Sequence, residues 1–134
     1  MCLYVQSPEP LYSKEDITCW KVLLVTEYGY ETPFQECNVS IDIVGGERLF
    51  EADKDYHGAN AVADGFFEIG YGYIHTFGDL EVAKALVSEF GCKPFSFVIY
   101  ECKIPAGTEY YKSFALNDYA SKAIKFVKRY ECIF

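Results

Sequence analysis

Two short segments hold the residues best suited to chemistry. Tyr56-His57-Gly58 sets an imidazole beside a glycine. Gly70-Tyr71-Gly72-Tyr73-Ile74-His75 sets two phenols and a second imidazole among small residues. An imidazole can relay a proton or bond a hydroxyl, and an aromatic face can carry a flat ring. Asp118 and Glu131 are the acids nearest the start and end of the last apolar stretch. A His-Cys nucleophile pair is conceivable, but no spacing ties His57 or His75 to any of the six cysteines. No nucleophile-elbow, phosphate-loop or dinucleotide motif occurs, and Gly70-Tyr71-Gly72 is only a fragment of one. The cysteines show no C-x-x-C spacing and no zinc-like pairing with histidine, so no metal site is expected.

The order of these segments resembles one known family. Tyr56-His57-Gly58 is followed by Gly72-Tyr73-Ile74-His75-Thr76-Phe77 and by a helical pattern carrying Leu80 and Ala83. A strand pattern then ends in Ile104-Pro105-Ala106-Gly107-Thr108, and a final strand follows. Over residues 56–134 this resembles ADP-ribosyltransferase-like domains of the diphtheria-toxin and PARP-like branch. The resemblance implies NAD as cofactor. It implies that His57 bonds the nicotinamide ribose, that the Gly58 backbone binds the carboxamide, and that Tyr73 or Tyr71 stacks on the nicotinamide ring. It also implies an acid at the start of the final strand, to stabilise an oxocarbenium-like transition state. There the chain departs: residues 119–124 read Tyr-Ala-Ser-Lys-Ala-Ile, with Asp118 before them and Glu131 after. The expectation is therefore a non-catalytic binding module for a protein or small ligand, acting through an aromatic and acidic surface. A divergent ADP-ribosyltransferase-like enzyme or NAD-binding remnant is the alternative, with His57, Tyr73, Asp118 and Glu131 as its catalytic candidates. His57, Gly58, Tyr71 and Tyr73 are the ligand-binding candidates in either case.

Composition narrows the class. A chain of 134 residues fits a single domain spanning 1–134, and 51% hydrophobic content argues against disorder. Twelve tyrosines and eleven phenylalanines favour half-buried pleated surfaces, hence β structure. A net charge of −8 repels a phosphate backbone, so no nucleic-acid partner is expected. Lys122, Lys125, Lys128 and Arg129 read as the wet side of a strand. Cys19, Cys102 and Cys132 sit inside apolar patterns, and the first residues show no export signal. Buried reduced thiols in a cytoplasmic protein are the expectation. No run reaches the ~18 apolar residues of a membrane-spanning helix.

The elements that must position these residues follow from periodicity. Met1–Val5 reads as an edge strand, broken by Pro8 and Pro10. Ile17–Thr26 is apolar on both sides around Lys21, the pattern of an inner strand. Val39–Val44 and Arg48–Ala52 read as strands about Gly45-Gly46. The stretch 53–72 reads as an irregular loop, with a short helix over Ala59–Ala63. Tyr73–Phe77 is a strand, and about 78–90 is the main helix, capped by Thr76 or Asp79. The strand from Phe95 to Ile104 ends at Pro105-Ala106-Gly107. Glu109–Phe114 is another strand. Residues 119–130 fit a strand or a helix, with strand preferred because Arg129–Phe134 alternates. The sum is an α+β, β-rich single domain: twisted, mostly antiparallel sheet of six or more short strands with one main helix. Met1–Val5 or Ile124–Phe134 is the edge through which a homo-oligomer could form.

Overall fold

The structure, a computed structural model, describes residues 3–26, 29–31, 48–51, 60–69, 73–90, 96–113 and 117–130. In chain order the strands begin with β1 (Leu3–Val5), β2 (Leu11–Tyr12), β3 (Ile17–Thr26), β4 (Gly29–Glu31) and β5 (Arg48–Glu51). Next come β6 (Asn60–Ala63), β7 (Phe66–Ile69) and β8 (Ile74–Phe77). The helix α1 (Leu80–Phe90) precedes β9 (Ser96–Ile104), β10 (Glu109–Lys112), β11 (Asp118–Ser121) and β12 (Ala123–Tyr130). The described pairings are all antiparallel. They build two open sheets. One has three strands in the order β1-β7-β6. The other has nine, in the order β2-β10-β11-β8-β3-β9-β12-β5, with β4 folded back on β3. The α+β, β-rich class read from the sequence is therefore the class of the fold.

The β3–β9 ladder is the spine. It runs in unbroken register from Ile17 opposite Ile104 to Val25 opposite Ser96. One face carries Cys19, Leu23, Val98, Tyr100, Cys102 and Ile104, joined by Ile74, Ile124 and Phe126 in one buried cluster. The other face carries Val22, Phe77 and Ile99, onto which α1 lays Ala83 and Val87, with Leu80 and Leu86 at the margin. These are the helix positions that the apolar spacing singles out. Asp79 starts the helix: its Oδ1 accepts from Glu81 N at 2.9 Å, satisfying a first-turn amide. Further along the same face, the small sheet packs Leu3, Val5 and Ile69 on Tyr73, Tyr111 and Ala120.

Two readings of the sequence need correction. The stretch 60–69 is no irregular loop and holds no helix: β6 and β7 form a hairpin across Asp64-Gly65. Gly65 has φ +75, and the register shifts between Ala61 and Ala63. A left-handed glycine followed by a bulge is what such a turn demands, and Asp-Gly between two apolar runs was its signal. The last stretch is strand as far as Tyr130, settling that alternative, but over Ala123–Phe126 it is not an edge, and residues 131–134 lie outside the described residues. β12 pairs with β9 on one side and with β5 on the other. β1 does lie at the edge of its small sheet. Residues 39–44 and the Gly45-Gly46 turn lie outside the described residues.

β3 and β8 share a single registered position, Trp20 opposite Phe77. Next to it, Lys21 turns into the core, 4% exposed, and its Nζ donates to the His75 carbonyl at 2.8 Å. A side-chain donor thus serves the seam where the ladder has stopped. Burial lowers the Lys21 ammonium from 10.5 to about 8, with the Cys102 and Cys19 sulfurs opposing that shift. Because the folded value lies below the unfolded one, the unfolded chain holds the extra proton between pH 8 and 10.5. The Lys21 contribution therefore improves as pH rises through that window, by about 3 kcal/mol in total. Unfolding wild type and Lys21→Met by urea across pH 7 to 11 checks this. The difference between them is expected to shift toward wild type above pH 8 and to level off near 10.5, while the tyrosine titrations cancel. A difference that is flat with pH contradicts it.

Candidate functional site

Residues on three strands and one turn converge at the end of the large sheet. The turn Pro105–Thr108 has Gly107 in its third position with φ +86, and Thr108 N donates to Pro105 O at 3.2 Å. That is the conformation for which a glycine is needed. Ser13 clamps this turn. Its Oγ donates to Pro105 O at 2.6 Å and accepts from Thr108 N at 3.0 Å. Its backbone N–H donates to Thr108 O at 3.0 Å, and its carbonyl accepts from Gly107 N at 2.6 Å. Asp16 Oδ1 accepts from Ala106 N at 2.9 Å. Held this way, β2 lies against β10, with Tyr12 opposite Glu109 and Leu11 opposite Tyr110.

Glu109 then gathers two phenols. Tyr12 Oη donates to its Oε1 at 3.2 Å, and Tyr73 Oη donates to its Oε2 at 3.1 Å. The Tyr73 ring meets Tyr111 edge-on, with centroids 5.6 Å apart, and Lys122 Nζ stands 4.3 Å from the Tyr73 centroid. Tyr111 Oη in turn donates to Pro8 O at 2.9 Å, tying the chain after β1 to β10. Beside Tyr111 opens a cleft of about 330 Å³ between Val5, Ser7, Glu9, Pro10 and Leu11. Lys112 lines it as well. Burial first, then the Glu109 and Glu9 carboxylates, push the Tyr111 phenol above its ordinary value. Glu109 does the same to the exposed Tyr12 phenol, with a smaller push from Glu9. Leu11 and Tyr12 are 49% and 63% exposed, so the strand beside the cleft presents apolar surface to solvent.

Of the residues singled out from the sequence, Tyr73 and Asp118 are described; His57, Gly58, Tyr71 and Glu131 lie outside the described residues. Tyr73 is buried in the core between the two sheets. Asp118 is also buried, and desolvation raises its carboxyl above the usual range. The two are not brought together. Asp118 sits opposite Phe77, and Tyr73 precedes Ile74, which sits opposite Ser121. Strand rise therefore separates them by ~13 Å. The acid that Tyr73 reaches is Glu109, which sequence reasoning passed over. Its partners lie 36 and 97 residues away along the chain, and no local pattern announces either. Among the described residues no three His, Cys, Asp or Glu side chains are placed to hold a metal ion. No described helix is long and apolar enough to cross a membrane. No family model matches the sequence, and no curated protein or solved structure matches it either.

The clamp can be tested directly. Ser13→Ala removes the hydroxyl that donates to Pro105 O and accepts from Thr108 N, and leaves that half-buried pair only its own 3.2 Å bond. The expected loss is about 1 kcal/mol in urea unfolding. Hydrogen exchange at Thr108 and Tyr12 is expected to quicken, while exchange in the β3–β9 ladder keeps its rank.

Proposed function

We propose that the chain is a non-catalytic binding module that takes an extended segment of a partner protein, carrying a basic side chain, along β2 and into the cleft beside Tyr111. The observation that carries this reading is the coincidence of a strand edge with a cleft lined by the Glu9 carboxylate and the Tyr111 ring. Among the described residues β2 ends the large sheet and pairs with β10 alone, an edge that can accept another strand. Successive side chains of an added strand would alternate between the two faces of the sheet. An apolar one has Leu11 to meet, and a basic one has Glu9 and the Tyr111 ring. A cation there gains from carboxylate and ring together. Lys112 in the lining disfavours a second positive charge close by. That favours a segment with isolated basic residues over a polybasic one.

Fluorescence anisotropy with labelled ten-residue peptides tests this. Saturable binding is expected for a peptide alternating valine and lysine, and none for one alternating valine and glutamate. Glu9→Gln is expected to weaken the first by about two- to fivefold, the range for an exposed ion pair, and to flatten its salt dependence. Leu11→Asp is expected to abolish binding. Equal binding of both peptides, no binding of either, or full binding by Leu11→Asp overturns the proposal.

A further inference from the structure

The large buried cluster contains chemistry that the cleft does not use. Cys19 on β3 and Cys102 on β9 are directly opposite one another in the ladder. Both are free, both belong to the same core cluster, and both are 0% exposed. Opposed residues of an antiparallel pair have Cα atoms ~4.5–5.5 Å apart, inside the ~4.4–6.8 Å that a disulfide spans. Their side chains leave the sheet on the same face and enter the same buried cluster. We propose that Cys19 and Cys102 are a reversible dithiol, which a peroxide converts to a cross-strand disulfide tying β3 to β9.

The chemistry balances with hydrogen peroxide or an alkyl hydroperoxide as oxidant. One thiolate attacks a peroxide oxygen and becomes a sulfenic acid, releasing water or the alcohol. The facing thiol attacks the sulfenic sulfur, the S–S bond forms, and the hydroxyl leaves as water. Two electrons pass from the sulfurs to the peroxide, and each thiol gives up its proton. Lys21 and Tyr119 are the ionisable groups that bear on Cys19, and Cys19, Lys21 and Glu101 on Cys102. Desolvation dominates at both: it pushes Cys19 up to about 11 and Cys102 well above its ordinary value, against the pull of the Lys21 ammonium. Buried neutral thiols react slowly. Oxidation therefore runs through brief openings of the strand pair, and the closed disulfide is shielded from reductant in the same way.

The position gives the bond a consequence. Two residues from it, the ladder ends at Ile17 opposite Ile104, from which the chain leaves toward Asp16 and toward Pro105. The crosslink would hold the root of the clamped turn shut. This inference needs no ligand in the cleft and stands or falls apart from the binding role.

The test is peroxide treatment of the folded chain, non-reducing digestion and mass mapping, with unfolding by urea before and after dithiothreitol. A Cys19–Cys102 crosslinked peptide is expected. It should form at least tenfold more slowly than free cysteine is oxidised, and faster in sub-denaturing urea. The urea midpoint should rise on oxidation and return on reduction, and Cys102→Ser should lose both effects. A variant with serine at Cys2, Cys37, Cys92 and Cys132 should still form the crosslink. Wild-type mapping decides the matter if that variant does not fold. Cys19 or Cys102 joined instead to another cysteine, oxidised to sulfinic acid without a crosslink, or left reduced throughout overturns the proposal.

Discussion

The register of β3 against β9 is the constraint on which the remaining structure depends. Side chains alternate faces along a strand, so fixing Ile17 opposite Ile104 decides the face of every residue that follows. It sends Cys19, Lys21 and Leu23 into one core, and Val22 to the surface that α1 covers. A shift by one residue would put Trp20 or Val22 where Lys21 now lies and turn Cys19 and Leu23 toward the helix. The large buried side chains Leu23, Ile99, Ile104 and Phe126 make such a shift costly, since each fully buried apolar side chain contributes about 1.5–3 kcal/mol.

Within that frame Lys21 is a compromise. A buried ammonium is unfavourable, and here it faces two neutral thiols and one backbone carbonyl. Near it Thr76 Oγ1 is buried with no hydrogen-bond partner among the described residues, although it lies close enough to Cys19 to favour the thiolate. These imperfections gather at the seam where β3 meets β8 at one position only. The β2-β10-β11-β8 half of the sheet therefore hangs on the β3–β9 half through one registered pair, the Lys21 bridge and its shared cores. Ser13 and Asp16 supply a second tie at the opposite end, by pinning the turn after β9 to the chain before β3. The cleft lies beyond that tie, so its shape follows from the clamp more than from the central ladder.

The electrostatics of the cleft follow from the same arrangement. Glu109 is held by two tyrosine hydroxyls and so is fixed in place, while Glu9 is exposed and comes from the segment between β1 and β2. One carboxylate is part of the frame and the other is free to meet a partner. Tyr111 joins the two regions. Its ring packs on Tyr73 in the inter-sheet core, and its hydroxyl holds Pro8, whose chain forms a wall of the cleft.

Local patterns in the sequence were enough for β3, β8, α1, β9 and the turn at Pro105–Thr108. Each depends on neighbours in the chain: apolar runs bounded by Gly or Pro, a capping Asp, and a glycine where φ must be positive. The Asp64-Gly65 hairpin was equally local, and was missed because the glycines around it suggested a loop. The β-rich class, the helix face and the buried Cys19 and Cys102 were also legible. Tertiary structure alone decided the rest. The burial of Lys21, the pairing of β12 on both sides, the meeting of Cys19 with Cys102, and the convergence of Tyr12, Tyr73 and Glu109 all rest on contacts between distant positions. Periodicity tells which face a residue occupies. It does not tell which strand lies alongside, because antiparallel partners are chosen by loop closure and by the fit of whole faces, not by any single residue's neighbours.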